Sequence, residues 1–174
     1  RSMPMQRLLQ GDVGSGKAVV AALAALQAIE SGRQVAFMAP TEILADQHYA
    51  TIRRLLDKSS YRIASLTGSV TPAKRRAALA ELASGTTHLV VGTHALVEEA
   101  VAFRSLGLIV IDEQHRFGVV QRATLRAKGL QPTHLLVLPA TPVPRTVAMT
   151  VFGDLDVTTI AQLPAGRQPI ESFV

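Results

Sequence analysis

Near the start of the chain, Gly11-Asp12-Val13-Gly14-Ser15-Gly16-Lys17-Ala18 sets a glycine, four further residues, then glycine and lysine, which is the spacing of a phosphate-cradling loop. Glycines let the backbone turn tightly enough for successive N–H groups to face one anion. A helix start adds the positive end of its dipole, and Lys17 brings a full charge. A triphosphate suits this arrangement. A plain glycine turn between a strand and a helix is the simpler alternative, and a lysine at this spacing argues against it. The eighth place dissents. A Ser or Thr there would ligate magnesium through its hydroxyl, whereas Ala18 presents a methyl group. Phosphate binding is expected to persist while hydrolysis suffers.

A second chemical group is Asp112-Glu113, which closes the apolar run Ile109-Val110-Ile111 and leads into Gln114-His115. Buried parallel strands do not end in adjacent acids without something to neutralise them, and magnesium would do so. Asp112 can hold the metal, through water if necessary, and Glu113 can orient and deprotonate an attacking water. A solvated strand end is the plainer alternative. His115 is open between sensing a γ-phosphate, coupling to a neighbouring loop and capping a helix.

Other polar residues also sit where apolar runs stop. Ala39-Pro40-Thr41-Glu42 leads into a helix with Thr41 as N-cap and Glu42 in the first turn, and an ordinary capped helix would explain it. Leu66-Thr67-Gly68-Ser69 and Gly92-Thr93-His94-Ala95 offer small hydroxyls and free amides that could meet nucleic-acid phosphates without reading bases. Lys74-Arg75-Arg76 lies on a helix beginning at Pro72 and reads as a solvated face. Pro139, Pro142 and Pro144 stiffen the segment that carries Thr141 and Arg145, and they argue against regular pairing there.

The elements that must position these groups alternate along the chain. Strands are predicted at Gln6 to Gln10, Gln34 to Ala39, Arg62 to Leu66, His88 to Val91, Leu106 to Asp112 and His134 to Leu138. Helices are predicted at Lys17 to Ser31, Glu42 to Asp57, Pro72 to Ser84, briefly near Ala95, at Val119 to Lys128 and after the proline segment. Ser31-Gly32, Ser84-Gly85 and Lys128-Gly129 read as glycine stops. Such alternation predicts an α/β domain, a mostly parallel sheet with helices on both faces, whose strand carboxyl ends carry the ligand. Leu163 to Ile170 has linker composition, so residues 1–162 are expected to form the domain and residues 163–174 to begin a linker.

Composition narrows the function classes. With 174 residues, 48% hydrophobic, the chain can bury a sizeable core. It has no cysteine, which removes disulfides and thiolate metal sites and makes a reducing compartment, the cytoplasm, the default. The longest apolar stretch, Ala18 to Leu26, is too short to cross a bilayer. A net charge of +5 and a pI near 10.2 suit a polyanionic partner. Aromatic residues are 4% with no Trp, so a grip on nucleic acid would rest on backbone phosphates rather than base stacking.

Taken in order, GDVGSGKA, APTEILADQH, LTGS, GTHAL, DEQHRFGVVQR and PATPVPRT resemble the first motor domain of superfamily-two helicases over nearly the whole chain from Gln6 onward. The string DEQHRFGV followed by QR, with the closing LPAGRQPI, is most similar to members that remodel branched DNA at stalled replication forks and Holliday junctions. The motor of the transcription-repair coupling factor is closely similar but usually carries DEEHRFG, so Gln114 favours the former.

The resemblance implies a three-layer RecA-like domain, with ATP and magnesium (Mg2+) as cofactors and branched or duplex DNA as partner in the cytoplasm, at the nucleoid. It implies that Gly11 to Ala18 bind the nucleotide, with Gly14, Ser15, Gly16 and Lys17 as the cradle. Asp112 and Glu113 would be the magnesium-holding and water-activating pair, with Gln114 and His115 linking nucleotide to DNA-side loops. Pro40, Thr41, Thr67, Gly68 and Thr93 would follow the DNA backbone, and Thr141 and Arg145 would relay hydrolysis to movement. A second motor domain and a wedge domain would complete the machine, and without them this half is not expected to unwind DNA.

Two positions depart from the family, which has Thr at Ala18 and usually Thr or Ser at Pro139. By analogy with the ~3 to 4 kcal/mol supplied by one oxyanion donor, such losses predict weak or absent catalysis. They leave open a catalytically silent nucleotide-binding or scaffold module. A small-molecule kinase would share the phosphate loop, but nothing here resembles an acceptor-substrate lid.

Overall fold

Valine-, leucine- and isoleucine-rich segments in mid-chain are buried on both sides, which is what a parallel sheet covered by helices requires of its strands. The computed structural model describes residues 6–10, 17–68, 70–113, 127–128, 133–139 and 156–159. Its strands are β1 (Gln6–Gln10), β2 (Gln34–Met38), β3 (Ile63–Leu66), β4 (Leu89–Gly92), β5 (Leu106–Glu113), β6 (His134–Pro139) and β7 (Asp156–Thr159). They form one sheet in the order β3-β4-β2-β5-β6-β1-β7, parallel at every pairing.

The helices are α1 (Lys17–Glu30), α2 (Glu42–Leu55) and α3 (Pro72–Ser84), with a 3₁₀ turn at His94–Val97. Alternation along each central strand divides the core in two. Val35, Phe37, Leu108, Val110, Leu136 and Leu138 face one way, against Ala21, Ala25 and Ile29 of α1 and Ala45 and Ile52 of α2. Ala36, Met38, Ile109, Ile111, Leu135 and Val137 face the other way, against Leu82 of α3 and Leu96 of the 3₁₀ turn. Right-handed crossovers demand this split. The connections through α1 and α2 run toward the β3 edge, while the one through α3 runs back, so α3 lies on the opposite face. Ile109 and Ile111, at 0% and 1% exposure, each contribute about 1.5 to 3 kcal/mol of burial.

Local signals fix the helix ends. Thr41 Oγ1 accepts from Leu44 N at 3.2 Å, and Thr71 caps α3 ahead of Pro72. Gly85 closes α3 at φ 86°, which a side chain would resist. At the amino edge of the sheet, buried Gln34 donates to Leu82 O and Thr87 O and accepts from Ser105 N, tying three connections together.

The strand and helix predictions agree with the structure to within one or two residues among the described elements, with three corrections. The short helix near Ala95 is a 3₁₀ turn. Strand β6 runs through Pro139, opposite Glu113, so pairing reaches the first proline of the segment expected not to pair; at the strand's last residue the missing N–H costs the ladder at most one bond. Strand β7 was not predicted: Asp156-Val157-Thr158-Thr159 has one apolar residue and pairs only with β1, at the edge. The predicted helix at Val119 to Lys128 lies outside the described residues except for Ala127 and Lys128, which form a turn. The helix after the proline segment and the boundary at residue 162 also lie outside them.

Candidate nucleotide site and the adjoining loops

Because every strand runs the same way, the carboxyl ends of β1 to β5 lie at one edge of the sheet. Lys17 is the first residue of α1, the described element that follows β1 along the chain. Asp112 is the penultimate residue of β5 and Glu113 the last. Only β6 separates β1 from β5, so the two strand ends stand roughly 10 Å apart, two strand spacings. A triphosphate held at the start of α1 would span that gap. Gly11 to Gly16, Gln114, His115, Thr141 and Arg145 lie outside the described residues, as do the side chains of Lys17, Ala18 and Glu113.

Asp112 has a partner that the sequence reading missed. His48 Nε2 lies 2.6 Å from Asp112 Oδ2. A carboxylate oxygen only accepts, so this ring nitrogen carries the hydrogen. The two side chains are 21% and 20% exposed, and the His48 ring packs on Phe37 of β2 with centroids 4.6 Å apart. His48 follows Ala45 by three residues and precedes Ile52 by four, so it shares their sheet-facing stripe. That register was the available signal: a histidine on a core stripe, one helix turn beyond an alanine that lets the helix approach the sheet.

The loops expected to follow a DNA backbone are brought together but are less open than predicted. Thr41 is exposed, with its hydroxyl engaged in capping. Gly68, also exposed, was expected to offer a free amide; instead its N–H donates to Glu42 Oε2 at 2.8 Å. The first turn of α2 thereby takes up an amide the loop would otherwise leave unpaired. Thr67 and Thr93 are 4% and 5% exposed, since the first follows a buried strand end and the second directly precedes the 3₁₀ turn, without a side-chain capping bond to it. Pro40 is half-buried. In the basic segment of α3, Arg75 pairs with Glu98 at 2.8 Å, while Lys74 and Arg76 face solvent, as a solvated face predicts.

The donor chemistry admits magnesium without building a cage for it. Among the described residues no group of three or more His, Cys, Asp or Glu is gathered to hold a metal. Asp112 offers one carboxylate, of which Oδ1 has no partner among the described residues. Magnesium bound by one carboxylate, phosphate oxygens and water fits that set. No described helix is long and apolar enough to cross a membrane.

Comparison with known proteins points the same way. Residues 4–150 match the model of the DEAD/DEAH box helicase family. The chain is 53% identical to an ATP-dependent DNA helicase RecG of Mycobacterium bovis over 98% of its own length and 25% of the relative's. It is 56% identical to that of Acidithiobacillus ferridurans over 100% of its length and 25% of the relative's. Among solved structures, a RecG bound to a three-way DNA junction superposes with a TM-score of 0.79 at 45% identity, covering 97% of this chain and 22% of the other. The helicase domain of Pyrococcus furiosus Hef, at 24% identity and a TM-score of 0.70 over 89% of this chain and 35% of the other, shares the fold. The chain therefore spans about a quarter of the length of the curated relatives it matches.

Proposed function

The chain belongs to the DEAD/DEAH box helicase family, and we propose that it is the nucleotide-binding motor domain of a RecG-like, ATP-dependent DNA helicase. Its parent acts on branched DNA, at stalled replication forks and Holliday junctions, in recombination and repair. The observation that carries this reading is the strand order, which sets the start of α1 and the Asp112 carboxylate two strands apart at the ligand-bearing edge of the sheet.

In this reading Gly14 to Lys17 cradle the phosphates, and Gly11 to Gly16 let the backbone approach them. Asp112 holds magnesium, directly or through water. When bound, that ion supplies charge neutralisation on the phosphate oxygens. Glu113 orients the attacking water and takes its proton. Gln114 and His115 report the nucleotide to the loops holding Pro40, Thr41, Thr67, Gly68 and Thr93, which meet the DNA backbone. Thr41 and Gly68 do so at the surface. Thr67 and Thr93 act by shaping their loops, since little of either is exposed. Thr141 and Arg145 belong to the coupling loop. Residues 163–174 begin the connection to a second motor domain, a wedge domain completes the parent, and the protein works in the cytoplasm at the nucleoid.

The catalytically silent module that Ala18 and Pro139 left open is not the reading that the RecG relatives favour. The parent protein tested for magnesium-dependent ATP turnover with and without a forked duplex decides between the two readings. We expect slow turnover stimulated by the fork; none above the Lys17→Ala background would leave only the silent module. Restoring the hydroxyl by Ala18→Thr is expected to raise turnover and steepen its magnesium dependence. An unchanged dependence would show that Ala18 is not the missing ligand position.

A further inference from the structure

We propose that His48 is a positioning residue for the nucleotide site, holding the Asp112 carboxylate in place for magnesium. The inference rests on the proposed role of Asp112 and adds to it a residue outside the motif that carries the metal-holding acid. Two neighbouring strands and a helix converge on this pair. Asp112 is the penultimate residue of β5, Phe37 packs its ring against the imidazole at a tilt from the adjacent β2, and α2 supplies His48 from a stripe anchored by the buried Ala45 and Ile52.

The bond is short, at 2.6 Å, and it engages a single carboxylate oxygen, so it fixes the carboxylate's rotation while leaving Oδ1 for another partner. A pair that served packing alone would not need to stand a fifth exposed at the carboxyl end of a strand. Ala18 raises the stakes. With no hydroxyl at that place, the metal has one fewer protein oxygen, and the aim of Asp112 governs more of its binding. Partners of this kind, hydrogen-bonded to a metal-holding carboxylate, alter metal affinity by about 10- to 100-fold when removed.

The helix that carries His48 begins with Glu42, whose carboxylate binds the Gly68 amide. One rigid element thus touches both the loop after β3 and the acid at the end of β5.

The test uses the parent protein, a fluorescent ATP analogue and a magnesium titration. His48→Phe keeps a ring against Phe37 and loses the N–H; His48→Gln loses the ring and keeps an amide N–H at similar reach. His48→Phe is expected to raise the magnesium concentration for half-maximal enhancement of nucleotide binding about 10- to 100-fold, to leave affinity in EDTA unchanged, and to be largely rescued by His48→Gln. Equal impairment of both variants, or a matching loss of affinity in EDTA, would overturn the proposal in favour of packing. A wild-type magnesium dependence in His48→Phe would overturn it outright. If His48→Phe does not fold, the contrast between His48→Gln and His48→Leu carries the same test. Loss of all saturable binding in the unsubstituted protein would instead remove the functional reading on which this one rests.

Discussion

At the scale of single residues, two glycines at the ligand edge do different work. A Cβ on Gly92 would lie 2.8 Å from the Leu66 carbonyl oxygen and 3.0 Å from the Leu96 side chain, both held in the core. A Cβ on Gly68 would collide with Glu42 Oε2, the far end of an exposed side chain that can swing away. Gly92→Ala is therefore expected to cost about 1 to 3 kcal/mol through overpacking, and Gly68→Ala about 1 kcal/mol or less, chiefly the lost hydrogen bond. Urea unfolding of both variants measures this, and a larger loss in Gly68→Ala would contradict it. The reading of Gly68 as a backbone donor was available from its place after a strand. Its partner was not, because Glu42 is 26 residues away and only the folded sheet brings β2 and β3 loops together.

At the scale of elements, buried strands were legible because their apolar runs are unbroken, and α2 and α3 because Thr41, Pro72 and Gly85 mark ends of them, whereas the Thr71 cap emerges only in the structure. Strand β7 was not legible, since one valine among Asp and Thr gives no period to read. His48 was overlooked for a related reason: a histidine three residues after Ala45 looks like any half-buried helix position until its register against β5 is known. The turn holding Lys128 shows another such tie. Its Nζ donates to Glu98 O and Val101 O, each at 2.8 Å. Burial pushes the Lys128 pKa below the ordinary 10.5, with Glu99 opposing the shift. A cation whose pKa is lowered on folding binds fewer protons folded than unfolded between its folded pKa and 10.5, so its contribution to stability rises with pH across that window. Wild-type stability is expected to gain on that of Lys128→Met as pH climbs toward 10.5. Denaturant titrations at stepped pH test it, and a gap that narrows on the wild-type side would reverse the sign.

At the scale of the whole molecule, the sheet brings the start of α1 and the end of β5 to one edge and gathers the loops after β2, β3 and β4 beside them. The phosphate loop and the acidic pair were readable as motifs, since each needs only local spacing. Their neighbourhood was readable only as a general rule for parallel sheets. The central claim is that this edge holds a nucleoside triphosphate through Lys17, with magnesium added by Asp112. The most direct measurement is a titration of the domain with a fluorescent ATP analogue, with and without magnesium, beside Lys17→Ala. Saturable binding, tightened by magnesium and abolished in Lys17→Ala, is the predicted result. Binding of equal strength in Lys17→Ala would contradict the account, because the nucleotide would then be held somewhere other than the start of α1.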